Sequence, residues 1–103
     1  MTPRIESMNK MLAANPDNLM AHYGLANEYW KLSDYAAVIK HLTAYLAGSD
    51  DQGAGYRLLG QAYQRLGDFE AARAAWRQGQ QAAERHGHPT MAAELGELIA
   101  DLG

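Results

Sequence analysis

The chain has no cysteine. That excludes a disulfide framework, a Cys-type zinc site and a thiol nucleophile, and it fits a reducing cytoplasm. Long apolar runs are missing too. No uninterrupted stretch approaches the roughly 20 residues needed to cross a bilayer, and the opening Met1-Thr2-Pro3-Arg4-Ile5-Glu6 lacks an apolar h-region. A soluble, cytoplasmic chain with no membrane partner is therefore expected. Clustered positive charge is absent as well: nine Lys and Arg are scattered through a chain of net charge −3, which argues against a phosphate backbone as partner.

Catalytic patterns are equally scarce. Glu6, Glu28, Glu70, Glu84, Glu94 and Glu97 fall on separate segments, with no pair placed for acid/base work, no Ser-His-Asp order and no phosphate-binding Gly loop. His86-x-His88 sits beside a Gly-Pro break without a third ligand nearby, and a helix C-terminus attracts cations by its dipole alone. The expectation is no enzyme, no metal and no cofactor.

What the chain does contain is a repeat. His22, Leu25, Ala26, Tyr29, Ser33, Asp34 and Tyr35 recur 34 residues later as Tyr56, Leu59, Gly60, Tyr63, Gly67, Asp68 and Phe69. A period of this length with helical spacing inside it means stacked helical hairpins.

Six helices follow from the apolar spacing. Ile5, Met8, Met11 and Leu12 share one side of a leading helix over 4–14, stopped at Asn15-Pro16 because a residue before Pro leaves the α region. Residues 18–32 carry Leu19, His22, Leu25, Ala26 and Tyr29, with Asp17 or Asn18 as N-cap. Residues 35–47 bury Tyr35, Val38, Ile39, Leu42, Tyr45 and Leu46 and end at Gly48, read as a left-handed C-cap. Over 53–66, Tyr56, Leu59, Gly60, Tyr63 and Leu66 repeat the earlier stripe, with Gly53 and Gly55 weakening the first turn. The helix over 69–85 places Phe69, Ala72, Trp76, Gly79 and Ala83 on one stripe, Gly79 marking a close crossing. A last helix over 90–102 turns Met91, Leu95, Leu98, Ile99 and Leu102 inward and Glu94, Glu97 and Asp101 outward, suiting a terminal cap.

Tyr56-x-x-Leu59-Gly60-x-x-Tyr63 followed by Ala72-x-x-x-Trp76 resembles the tetratricopeptide repeat family. His22-x-x-Leu25-Ala26-x-x-Tyr29 with Val38-x-x-x-Leu42 is a looser copy, and Pro16 occupies the closing-Pro slot one register earlier. Asp50 and Glu84 replace the later prolines, and Ser33 replaces the Gly between helices. The resemblance implies an all-α helical-hairpin solenoid within a single domain over 1–103: leading helix 4–14, repeats 19–52 and 53–86, capping helix 90–102.

In this family the first helix of each hairpin lines a concave groove. The resemblance thus implies peptide-binding candidates Met20, Tyr23, Asn27 and Trp30 on the first such helix, and Ala54, Arg57, Gln61, Gln64 and Arg65 on the second. Aromatics and Arg are the commonest interface anchors. The competing reading of Tyr23 and Trp30 is packing on the 4–14 helix. Some relatives grip a chaperone's C-terminal carboxylate with a Lys and Asn one turn apart. Here Asn27 matches, but Tyr23 stands at the Lys position, Leu58 replaces a second Asn and Ala92 an Arg, so that clamp is rejected. The function implied is a protein-interaction module holding a peptide of a partner protein. The alternative is a self-associating scaffold that completes its stack by weak homodimerisation and covers Tyr23 and Trp30.

Overall fold

The computed structural model describes residues 2–102, and these form helices with no strand. In chain order they are α1 (Pro3–Ala14), α2 (Leu19–Lys31), α3 (Tyr35–Gly48), α4 (Ala54–Arg65), α5 (Phe69–Arg85) and α6 (Pro89–Asp101). Each expected helix is present, its ends displaced by no more than two residues. Short polar side chains set several starts by accepting an otherwise unpaired N–H: Thr2 from Ile5, Asn18 from Ala21, Asp34 from Ala37 and Asp68 from Ala71.

The 34-residue repeat is visible in backbone geometry. Ser33 (φ 57°) and Gly67 (φ 81°) are left-handed, and in each turn the following Asp N–H donates to the Tyr carbonyl five residues back, Asp34 to Tyr29 and Asp68 to Tyr63, at 3.0 Å. Gly87 (φ 72°) makes the third such turn, where the His88 N–H donates to the Ala83 carbonyl at 2.8 Å.

The chain divides into two compact units, Met1–Ser49 and Asp50–Gly103. In the first, α2 packs against both α1 and α3, and Ile5, Ala21, Leu25, Ala26, Val38 and Leu42 are buried. In the second, α5 packs against both α4 and α6, around Trp76 and Leu95 with Leu59, Ala62, Ala72 and Ala83. Small residues let these helices approach. A Cβ on Gly79 would lie 2.8 Å from Tyr56 Cβ and 3.0 Å from Leu95 Cδ1, which is the close crossing expected there.

Four expectations are corrected. Gly48 is the last residue of α3, and the C-cap is Ser49 with φ −106°, an extended conformation. Gly48 answers a packing demand, since a Cβ there would meet Leu19 Cδ2 at 2.9 Å. Gly53 is the N-cap of α4 with φ 131°, not a helical residue, because Asp51 Oδ1 accepts from both the Gly53 and Gly55 N–H groups at 2.8 and 2.9 Å and bends the chain into the helix. Phe69 is 47% exposed although its stripe is otherwise buried, because it is the first residue of α5. Met11, expected on the buried side of α1, is 44% exposed, because α1 packs chiefly on α2 and the Met11 flank lies outside that contact.

Candidate functional site

On α2 the spacing of Met20, Tyr23, Asn27 and Trp30 draws a line along one flank of the helix, away from the buried Ala21, Leu25 and Ala26. Met20 is 76% exposed. Tyr23 is half-buried, its ring tilted against Tyr45 with centroids 4.8 Å apart, and Trp30 stands edge-on to Tyr35 at 5.1 Å. These ring contacts are with α3, the second helix of the same hairpin, and not with the 4–14 segment. Asn27 is exposed and its Nδ2 donates to the Tyr23 carbonyl at 3.0 Å, one turn back. Beside this line Glu28 accepts from Lys31 Nζ at 2.9 Å and from Arg4 Nη1 at 3.4 Å, tying α1 to α2. The Lys31 hydrogen bond, helped by the charges of Lys31 and Arg4, holds the Glu28 carboxyl below its ordinary pKa.

On α4 the polar candidates have different surroundings. Gln61 is half-buried, and Gln64 and Arg65 are exposed; Ala54, at the first turn, is half-buried. Arg57 is not an open cation: its Nη1 donates to Glu94 Oε1 on α6 at 2.8 Å, and its carbonyl accepts from Trp76 Nε1 at 3.1 Å. Glu94, placed on the outer face of α6 by periodicity alone, therefore joins the polar face of the second unit. No local pattern joins two residues 37 positions apart.

Two further groupings escaped the sequence. His22 and His41 meet through their Nδ1 atoms at 3.1 Å, and His41 is buried while stacking flat on Tyr29. His22, spaced like a core residue, also lines a recess of about 480 Å³ with Pro16, Asp17, Leu19, Ala44, Ala47 and Gly48. In the second unit His86 Nε2 pairs with Asp50 Oδ1 at 3.0 Å and His88 Nε2 with Gln52 Oε1, clasping the segment before α4 to the turn before α6. Among the described residues no group of three or more His, Asp or Glu is placed to hold a metal ion. No helix among them is long and apolar enough to cross a membrane.

The chain is 36% identical over 98 residues to the TPR repeat-containing protein PA0015 of Pseudomonas aeruginosa, a match covering 95% of this chain and 93% of the relative. It belongs to the tetratricopeptide repeat family. The solution structure of protein BPP2914 from Bordetella parapertussis superposes with a TM-score of 0.79 at 29% identity, covering 99% of this chain and 89% of that one. No protein-family model matches the sequence. The tetratricopeptide fold accounts for the paired turns at Ser33 and Gly67 and for the buried small residues Ala26 and Gly60 at equivalent repeat positions. Membership supports a protein-interaction module as the general class of function.

Proposed function

We propose that this tetratricopeptide chain binds an extended or helical peptide segment of a partner protein on the exposed flanks of the first helices of its repeats, α2 in 19–52 and α4 in 53–86. The observation that carries this reading is the line Met20, Tyr23, Asn27 and Trp30, which stays wholly or partly exposed on a helix whose opposite flank is sealed. Met20 and the two aromatics offer area for an apolar side chain, and the Tyr45 and Tyr35 rings behind them limit the rotamer entropy lost on binding. On α4, within the second unit, Arg57, Gln61, Gln64 and Arg65 supply a polar face. An acidic group on the ligand would compete with Glu94 for Arg57, so α4 contributes more to orientation than to affinity. Two repeats offer limited area, and micromolar binding is the expected range. In this reading the chain is a non-catalytic adaptor whose ligand is protein and not nucleic acid.

The second reading, a homodimer that uses the same surface, draws on exposed Met11 and Met20 in the first unit. Sedimentation over a concentration series together with titration of a display-selected peptide tests both. Peptide-induced chemical-shift changes on α2 and α4 of a monomer support the peptide-binding reading. Changes confined to α3 and α5 overturn it, and a dimer that loses peptide binding as it forms supports self-association.

A further inference from the structure

His22 and His41 form one proton-sharing unit whose hydrogens can be assigned from geometry. His22 Nε2 lies 2.9 Å from the Pro16 carbonyl, an acceptor only, so that nitrogen carries a hydrogen. In the uncharged pair the Nδ1 to Nδ1 contact of 3.1 Å then needs the second hydrogen on His41 Nδ1, donated to a bare His22 Nδ1. The next hydrogen goes to His41 Nε2, because the other three nitrogens already share two hydrogens across two bonds, and the Nδ1 hydrogen can then sit on either ring, so the first charge belongs to the pair. The His41 ring is 7% exposed and stacks at 5.7 Å and 3° on Tyr29. A further proton would set two N–H groups against each other across the Nδ1 contact and break the bond that joins α2 to α3.

We propose that the His22–His41 pair is an acid-sensitive latch on the α2–α3 hairpin: closed while the pair is uncharged, resistant to the first proton because the His41 ring is enclosed, and opened by the second, which leaves no acceptor at the Nδ1 contact. The groups facing it are Tyr29 on α2, Lys40 on α3, and Pro16 with Asp17 in the segment before α2. On the far flank of α2, α1 contributes Arg4, which is engaged with Glu28. Burial, then the charge of His22, then that of Lys40 all push the His41 pKa below its ordinary value, in the direction the geometry requires. The latch also borders the Pro16–Gly48 recess through His22, so its opening alters that wall of the first unit.

The sign follows from linkage. Unfolded, His41 takes up its proton near pH 6.5; folded, it resists until lower pH, so the latch's contribution is complete above that value and is lost as pH falls through the folded value. Long-range proton–nitrogen spectra of the full chain at about pH 8 should show His22 with hydrogen on Nε2 and His41 with hydrogen on Nδ1. Both rings in the Nε2–H form would overturn the assignment. Urea denaturation should show the unfolding constant rising about fivefold between about pH 7.5 and 5.5 in the wild type. His41→Phe should flatten that rise, and His88→Gln should leave it intact. Should His41→Phe fail to fold, His22→Gln, whose amide still accepts from His41 Nδ1, should reduce the slope. A flat wild-type profile, or an unchanged slope in both variants that fold, would overturn the latch.

Discussion

Trp76 lies across Gly60, so that a Cβ built on Gly60 would coincide with its indole edge, while the indole Nε1–H donates to the Arg57 carbonyl at 3.1 Å. One side chain thus fills the α4–α5 crossing and satisfies its own donor on the helix it crosses. Gly60→Leu should destabilise the protein by about 3 kcal/mol or more, since the ring has no outlet from a fully buried position. Thermal and urea melts check this. Gly53→Leu is also costly, for a different reason: its left-handed φ of 131° and the approach of Met91 Cγ to 2.9 Å. Gly60→Ala should already cost about 1–3 kcal/mol.

Leu59 and Leu25 occupy equivalent repeat positions and both are buried. Leu59→Ala and Leu25→Ala should each cost about 2–5 kcal/mol, a large share of a small domain's stability. Hydrogen exchange should report the loss first in the unit that carries the substitution, and uniform melts in variant and parent would contradict the repeat register.

Ser33 holds a left-handed φ of 57° where the second repeat has Gly67 at 81°. Ser33→Gly should be neutral to stabilising by about 0.5 kcal/mol, as relief of backbone strain outweighs the added unfolded-state freedom. Gly67→Ala should destabilise by about 1 kcal/mol, even though nothing lies within 4 Å of the added Cβ. Paired urea curves distinguish conformational cost from steric cost.

Lys31 and Arg4 hold the Glu28 carboxyl below its ordinary value of 4.5, so its contribution is complete above about that pH and is lost as pH falls through the lower folded value. Glu28→Gln should remove this acid-side slope, and added salt should shrink it in the wild type. Urea midpoints across the acid range at two salt concentrations read out both effects.

For peptide binding, Trp30→Ala should weaken a bound peptide by about 2 kcal/mol, because an aromatic anchor loses its buried area. Arg57→Ala should cost less and chiefly alter the salt dependence, since Glu94 already meets that guanidinium at 2.8 Å. Calorimetric titration at two ionic strengths separates the two outcomes.

The chain's own pattern determined the helices and the 34-residue register, because those depend on neighbours within a few residues: Asn18 caps α2 from three positions before the N–H it accepts, and Leu25 and Leu59 follow from helical spacing. Tertiary structure decided what long separations control. Gly48 looks like a cap in one dimension, but Leu19 across the hairpin makes it a packing glycine. Arg57 looks like an open cation until α6 brings Glu94 to it. Two histidines 19 residues apart carry no mutual signal in the sequence, and only the α2–α3 packing sets their Nδ1 atoms in contact and removes one ring from water.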